Sequence, residues 1–114
     1  MPFIHTITTK TVTPEMESEL WRRLGKAITK IPGKTEEWLM LGVQGDVSMA
    51  FRGKASDALV FSEVKILGHA SRASYDALTE ELTKVYGDVL GVPGEGVYIQ
   101  SVEADVWGHD GYNF

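Results

Sequence analysis

The sequence predicts an α+β fold built from duplicated β-α-β units, with a four-stranded mixed sheet and two helices on one of its faces. Three observations carry this. Each half of the chain reads strand, amphipathic helix, Pro-Gly turn, then a strand opening with an aromatic, Trp38 in the first half and Tyr98 in the second. The two sets are offset by about half the chain, so internal duplication with pseudo-repeats at about 1–57 and 58–114 outranks one continuous winding. A chain of 114 residues also fits one domain with one core.

The first strand is the apolar run Phe3–Ile7. Thr13 then offers an N-cap and Pro14 the proline favoured at the first helical position. Met16, Leu20, Leu24, Ala27 and Ile31 recur at helical spacing, and Pro32-Gly33 ends the run. Gly25 inside this helix costs about 1 kcal/mol relative to Ala, tolerable where the helix lies close on a sheet. Trp38–Val43 reads as the second strand and Ala58–Leu67 as the third, stopped by Gly68. A second helix is expected from about Ser74, with Tyr75, Leu78, Leu82, Val85 and Val89 on one face, ending between Gly87 and Gly91. Gly91-Val92-Pro93-Gly94-Glu95-Gly96 lacks the Lys-Ser/Thr of a phosphate loop and precedes a strand at Val97–Val102, so it reads as a turn. Right-handed crossovers put both helices on one face. The other face must then meet solvent or another subunit, and its apolar content favours a subunit.

The net charge of −5 argues against nucleic acid as a partner. Arg22, Lys26 and Lys30 align along the first helix, but Glu15 and Glu19 share their face, as on an ordinary solvated helix. No apolar run is long enough to span a bilayer, and the amino terminus lacks the apolar core of a cleavable secretory signal. A cytoplasmic protein is expected, with secretion by a non-classical route as the other option. The chain has no cysteine, which removes thiolate nucleophiles, disulfides and thiolate metal sites. His5, His69 and His109 have no metal-ligand spacing, and no Gly-x-Ser-x-Gly elbow is present.

One residue stands out chemically. Without Met1, Pro2 carries a free secondary amine at the start of a strand. An α-amino group titrates near 7.7–8.0, and burial or a nearby cation such as Lys34 keeps more of it neutral, suited to taking a proton beside a carbonyl. With Met1 in place, Pro2 is an amide and no base. On its own, a proline at position 2 reads more simply as a protected terminus.

Several blocks together change that balance. Met1-Pro2-Phe3-Ile4, Gly33-Lys34 followed by Trp38, Met49-Ala50-Phe51-Arg52-Gly53, Gly68 after a strand, Val97-Tyr98-Ile99 and the tail from Val106 through Gly108-His109-Asp110-Gly111 to Phe114 resemble the macrophage migration inhibitory factor family, a branch of the tautomerase superfamily. The resemblance implies a homotrimer of such units around a barrel-like centre, which would cover the open sheet face. It implies Pro2 as catalytic base, Lys34 and the Leu67 backbone N–H as carboxylate donors, and Tyr98, supplied by a neighbouring subunit, at the pocket, with Gln100 in place of an asparagine. Phe3, Trp38, Tyr98, Val106 and Phe114 would wall an aromatic ring, though each is also an ordinary packing residue. The implied reaction is cofactor-independent keto–enol tautomerisation of a small aromatic, phenylpyruvate-like 2-oxo acid.

Departures from the family pattern bear on the pocket. His109 stands where an aromatic is usual and Asp110 where an asparagine is, giving a more polar, acidic rim. The loop after Gly68 is shorter by three residues, with a compensating lengthening near the end of the second helix. The Cys-x-x-Cys of vertebrate members is missing, so their thiol-redox activity is not expected. The alternative function is a cytokine-like secreted signalling protein whose surface binds a protein receptor. A third option, decarboxylation or haloacrylate hydration, calls for arginines near the pocket, and Arg52 is the one that keeps it open.

Overall fold

Alternating inward and outward side chains in the strands and helical repeats of apolar residues set the layers. The computed structural model describes residues 1–114. It contains β1 (Pro2–Thr8), α1 (Pro14–Ala27), β2 (Met40–Gln44), β3 (Ala50–Phe51), β4 (Lys54–Ala55), β5 (Val60–Leu67), α2 (Arg72–Leu90), β6 (Val97–Ala104), β7 (Gly108–His109) and β8 (Tyr112–Asn113). The main sheet has the order β2-β1-β5-β6. Its outer pairs, β1 with β2 and β5 with β6, are parallel, and the central pair β1 with β5 is antiparallel. The expected four-stranded mixed sheet of β-α-β units is therefore present.

One face of the sheet holds the core. Ile4 of β1 and Val60, Val64 and Ile66 of β5 meet Leu20, Leu24 and Ala27 of α1 and Leu78, Leu82, Val85 and Leu90 of α2. Each of the Val, Leu and Ile side chains, fully buried, contributes roughly 1.5–3 kcal/mol relative to exposure. The opposite face presents Phe3, His5, Phe61, Glu63, Lys65, Tyr98 and Gln100, none of them fully buried. Arg23 reaches Asp88 at 2.9 Å, linking the two helices, while Arg22 pairs with Glu19 along α1, the solvated pattern read from the charges.

Polar side chains also enter this core. The Tyr86 hydroxyl lies 2.6 Å from the Thr6 hydroxyl and 2.8 Å from the Ser62 hydroxyl, and Thr6 and Ser62 are directly paired across β1 and β5. Burial holds the Tyr86 phenol above its ordinary pKa. Tyr86→Phe should destabilise the chain by about 1–3 kcal/mol, because two buried hydroxyls lose their shared partner. Urea denaturation reads this, and an unchanged midpoint would count against the hydroxyl cluster as a stabilising element.

Several local expectations need correction. Trp38 does not open β2; it closes a 3₁₀ turn, Glu36–Trp38, and the strand begins at Met40. Gly25 does not admit the sheet, since a Cβ there would collide with the Glu36 side chain that this turn lays over α1. The last turn of the first helix tightens to 3₁₀ at Ile28–Lys30. The second helix starts earlier than Ser74, at Arg72, because Ser71 rather than a later residue accepts from the Ser74 N–H as N-cap. The two short hairpins, β3–β4 and β7–β8, were not anticipated. Arg52 and Gly53 turn the first and Asp110 and Gly111 the second, all at positive φ, as tight hairpin turns require.

Candidate active site

The Leu67 backbone and the Lys34 ammonium meet the chain at the start of β1. Pro2 is buried and pairs with Ile66 at the end of β5. One step further out, the Leu67 N–H donates to the Met1 carbonyl at 3.1 Å, extending the β1–β5 ladder by one bond. The Lys34 ammonium donates to the Leu67 carbonyl at 2.8 Å. The Pro32-Gly33 turn brings Lys34 here from the end of the first helical segment, and its own N–H is tied to Ile31 O at 3.1 Å. Pro2, Lys34 and Leu67, the residues that the family resemblance brought together, thus converge at one end of β1.

The amine at this end of the chain is perturbed. Partial burial first, then the Lys34 charge and a hydrogen bond with Lys34, hold the Met1 amine below the ordinary α-amino value. All three causes belong to the place, and they act in the direction that favours a neutral amine.

Beside this cluster opens a groove of about 680 Å³ lined by Met1, Pro2, Phe3, Glu37, Trp38, Leu39, Met40, Leu41, Trp107, Gly108 and His109. Trp38 meets His109 edge-on at 5.5 Å between ring centroids, and Phe114 lies 6.4 Å beyond the same imidazole. Phe3 stacks on His5 at 5.9 Å. The C-terminal hairpin is held by a bond from Phe114 N–H to Trp107 O at 2.8 Å, which keeps His109 against Trp38. Phe3, Trp38 and His109 therefore line the groove together, while Phe114 stands beside His109 outside its lining. Met40 and Trp107 were missed, although an aromatic beside Val106 and an apolar strand start were readable signals. No group of three or more metal-ligating side chains converges anywhere on the chain.

Other expected residues lie elsewhere within one chain. Tyr98 pairs with Phe61, which in turn pairs with Ile7, so it sits at the far end of β1 from Pro2. There it meets Phe51 edge-on at 5.4 Å, beside a smaller cleft of about 160 Å³ whose walls include Met49, Phe51, Leu59, Phe61 and Tyr98. Arg52 caps the Phe51 ring at 5.0 Å, at the same distant end. Gln100 projects from the open sheet face, and Val106 is exposed outside the groove lining. A single chain does not unite Tyr98, Gln100, Val106 or Arg52 with Pro2.

The turn after Leu67 is held by one carboxylate. Gly68 reverses the chain at φ +92°, a conformation costly for any residue with a Cβ. Its N–H donates to Ala104 O at 3.0 Å. Glu103 on β6 then accepts from the Ala70 N–H at 3.0 Å and the Tyr75 hydroxyl at 2.7 Å, and bonds His69 Nδ1 at 2.9 Å. The His69 bond, then Tyr75 and Ala70, lower the Glu103 pKa to about 2. The same bond raises that of His69. Burial and Glu103 push the Tyr75 phenol up to about 12.

The family model for macrophage migration inhibitory factor matches residues 1–113. Among solved structures, macrophage migration inhibitory factor 2 of Leishmania major shares the fold at TM-score 0.91 and 23% identity, over 100% of this chain and 97% of that one. A homologue from Prochlorococcus marinus gives TM-score 0.85 and 25% identity, covering 98% of each chain. A fused 4-OT protein, described as an asymmetric trimer, gives TM-score 0.84 and 16% identity over 96% of this chain and 94% of its own. No curated protein sequence matches.

Proposed function

The chain belongs to the macrophage migration inhibitory factor family, and from that premise we propose that it is a cofactor-independent keto–enol tautomerase of phenylpyruvate-like 2-oxo acids, with Pro2 as general base. The observation that carries this reading is the bond from the Leu67 N–H to the Met1 carbonyl, made beside the Lys34 ammonium. A carbonyl oxygen held there stands in for a carboxylate oxygen of the acid. Once Met1 is removed, the Leu67 N–H loses its partner and the place Met1 fills at the edge of the groove is freed, and the proline nitrogen there becomes basic.

In the proposed reaction the neutral Pro2 nitrogen takes a proton from C3 of the bound acid. The electron pair of that C–H becomes the C2=C3 bond as the C2=O π pair moves onto oxygen, and the proton returns to that oxygen, leaving the enol and a neutral Pro2. Lys34 and the Leu67 N–H hold the carboxylate, while Phe3, Trp38, Met40 and Trp107 receive the ring. The open sheet face and the trimeric relative support assembly as a homotrimer, in which Tyr98 and Gln100 of a neighbouring copy would complete the pocket.

Ultraviolet absorbance of phenylpyruvate enol tests the reading on chain whose mass proves loss of Met1. Conversion should exceed the buffer rate and fall as pH drops through the Pro2 pKa, since only the neutral amine is a base. That midpoint should lie below the ordinary α-amino value of about 8. A rate no faster than buffer sinks the assignment.

A further inference from the structure

We propose that Glu103 is a positioning residue for the Pro2 site: it clamps the turn that follows Leu67 and so fixes where the Leu67 N–H and carbonyl stand. This rests on the tautomerase reading above. Leu67 is the last residue of β5, and its two polar groups serve the site directly: the N–H, which here donates to the Met1 carbonyl, is the proposed donor to the acid, and the carbonyl holds Lys34. Beyond it the chain reverses at Gly68, so the next fixed points set its orientation. Those points converge on Glu103. Its carboxylate takes the Ala70 N–H and the side chains of His69 and Tyr75, thereby joining the edge strand β6, the turn and the first part of α2.

A carboxylate in this place outperforms a neutral residue, because bonds to an ionised acceptor are shorter and stronger than neutral ones. Two of its partners, His69 and Ala70, lie in the turn and the third, Tyr75, in the first turn of α2, so losing it frees the whole segment at once. The charged groups facing His69 are Glu103 and Asp105 on the β6 side. Arg72 and Asp76 of α2, which pair with each other at 3.0 Å, share the surface patch with Tyr75 and Glu103. Protonated His69 strengthens the clamp. With its pKa raised, that contribution is complete at pH below the ordinary histidine value and is lost as pH rises through the folded value.

The test uses full chain freed of Met1, as wild type, Glu103→Ala and His69→Gln. Amide hydrogen exchange by NMR and steady-state kinetics with phenylpyruvate are the two readouts. Glu103→Ala should raise KM roughly three- to ten-fold, the scale on which residues outside a site alter binding, with kcat within about two-fold. Exchange at Leu67, Gly68 and Ala70 should quicken while the core of β5 stays protected. Wild-type KM should climb as His69 deprotonates, and His69→Gln should flatten that climb. Unchanged KM in a folded Glu103→Ala overturns the proposal, as does a fall in kcat alone. Should Glu103→Ala fail to fold, the pH profile of His69→Gln decides, and a climb identical to wild type overturns it. Should wild type lack tautomerase activity, the functional reading fails, and equal exchange in wild type and either variant then overturns the clamp separately.

Discussion

Chain that keeps Met1 should lose tautomerase activity by about 10²–10⁴-fold in kcat/KM relative to processed chain, the usual contribution of a positioned general base. An acylated proline nitrogen has no available lone pair. The structure adds a second loss: the Met1 carbonyl already takes the Leu67 N–H, and the Met1 amine lies against Lys34. Retention therefore removes acid binding as well as catalysis. Intact mass sorts the two forms, and fluorescence quenching of Trp38 and Trp107 by phenylpyruvate reads their binding. Equal affinity in both forms would contradict the claim that Met1 and the acid share a donor. Pro2→Ala, processed to a primary amine, should keep the affinity and lose most of the rate. Activity equal to wild type would remove Pro2 as base.

Lys34→Ala should raise KM roughly ten- to a hundred-fold, the equivalent of one hydrogen bond to a charged group at about 1.5–3 kcal/mol. The effect should fall on KM rather than kcat, because the carboxylate is bound alike before and during proton transfer. Removing Lys34 also frees the Leu67 carbonyl, which can then bond water at this partly open place. Lys34→Arg restores charge but not a point charge on a flexible stem, so an intermediate KM is expected. An unchanged KM for Lys34→Ala would show that the carboxylate binds elsewhere.

The regular part of the fold was readable because each element buries a single face. Leu20, Leu24, Ala27 and Ile31, and then Leu78 and Leu82, repeat at helical spacing and are all buried. The same spacing continues through Tyr86 to Leu90, but a tyrosine reads as an edge residue unless hydroxyl partners are known. Those partners, Thr6 and Ser62, come from strands far away in the chain. The short hairpins carry too few residues for any period, though Asp110-Gly111 was a legible turn. At the site, Pro2 stood out by its chemistry alone, whereas the carboxylate-binding roles of Lys34 and Leu67 were visible only through the combined family blocks. Met1 was invisible as a competitor, because its contact is made by backbone atoms common to every residue. Glu103 was equally hidden, since nothing local links it to Ala70.

The central β1–β5 pair has a consequence for how the chain folds. It joins strands about half a chain length apart, whereas each outer pair links neighbours within its own β-α-β unit. Neither unit can bury Tyr86 with both of its partners until the other arrives, because Thr6 belongs to the first unit and Ser62 and Tyr86 to the second. The halves are thus bound into one cooperative transition rather than two. Loop closure across that distance comes before the stabilising contacts, so folding should be slower than for a helical bundle of similar size.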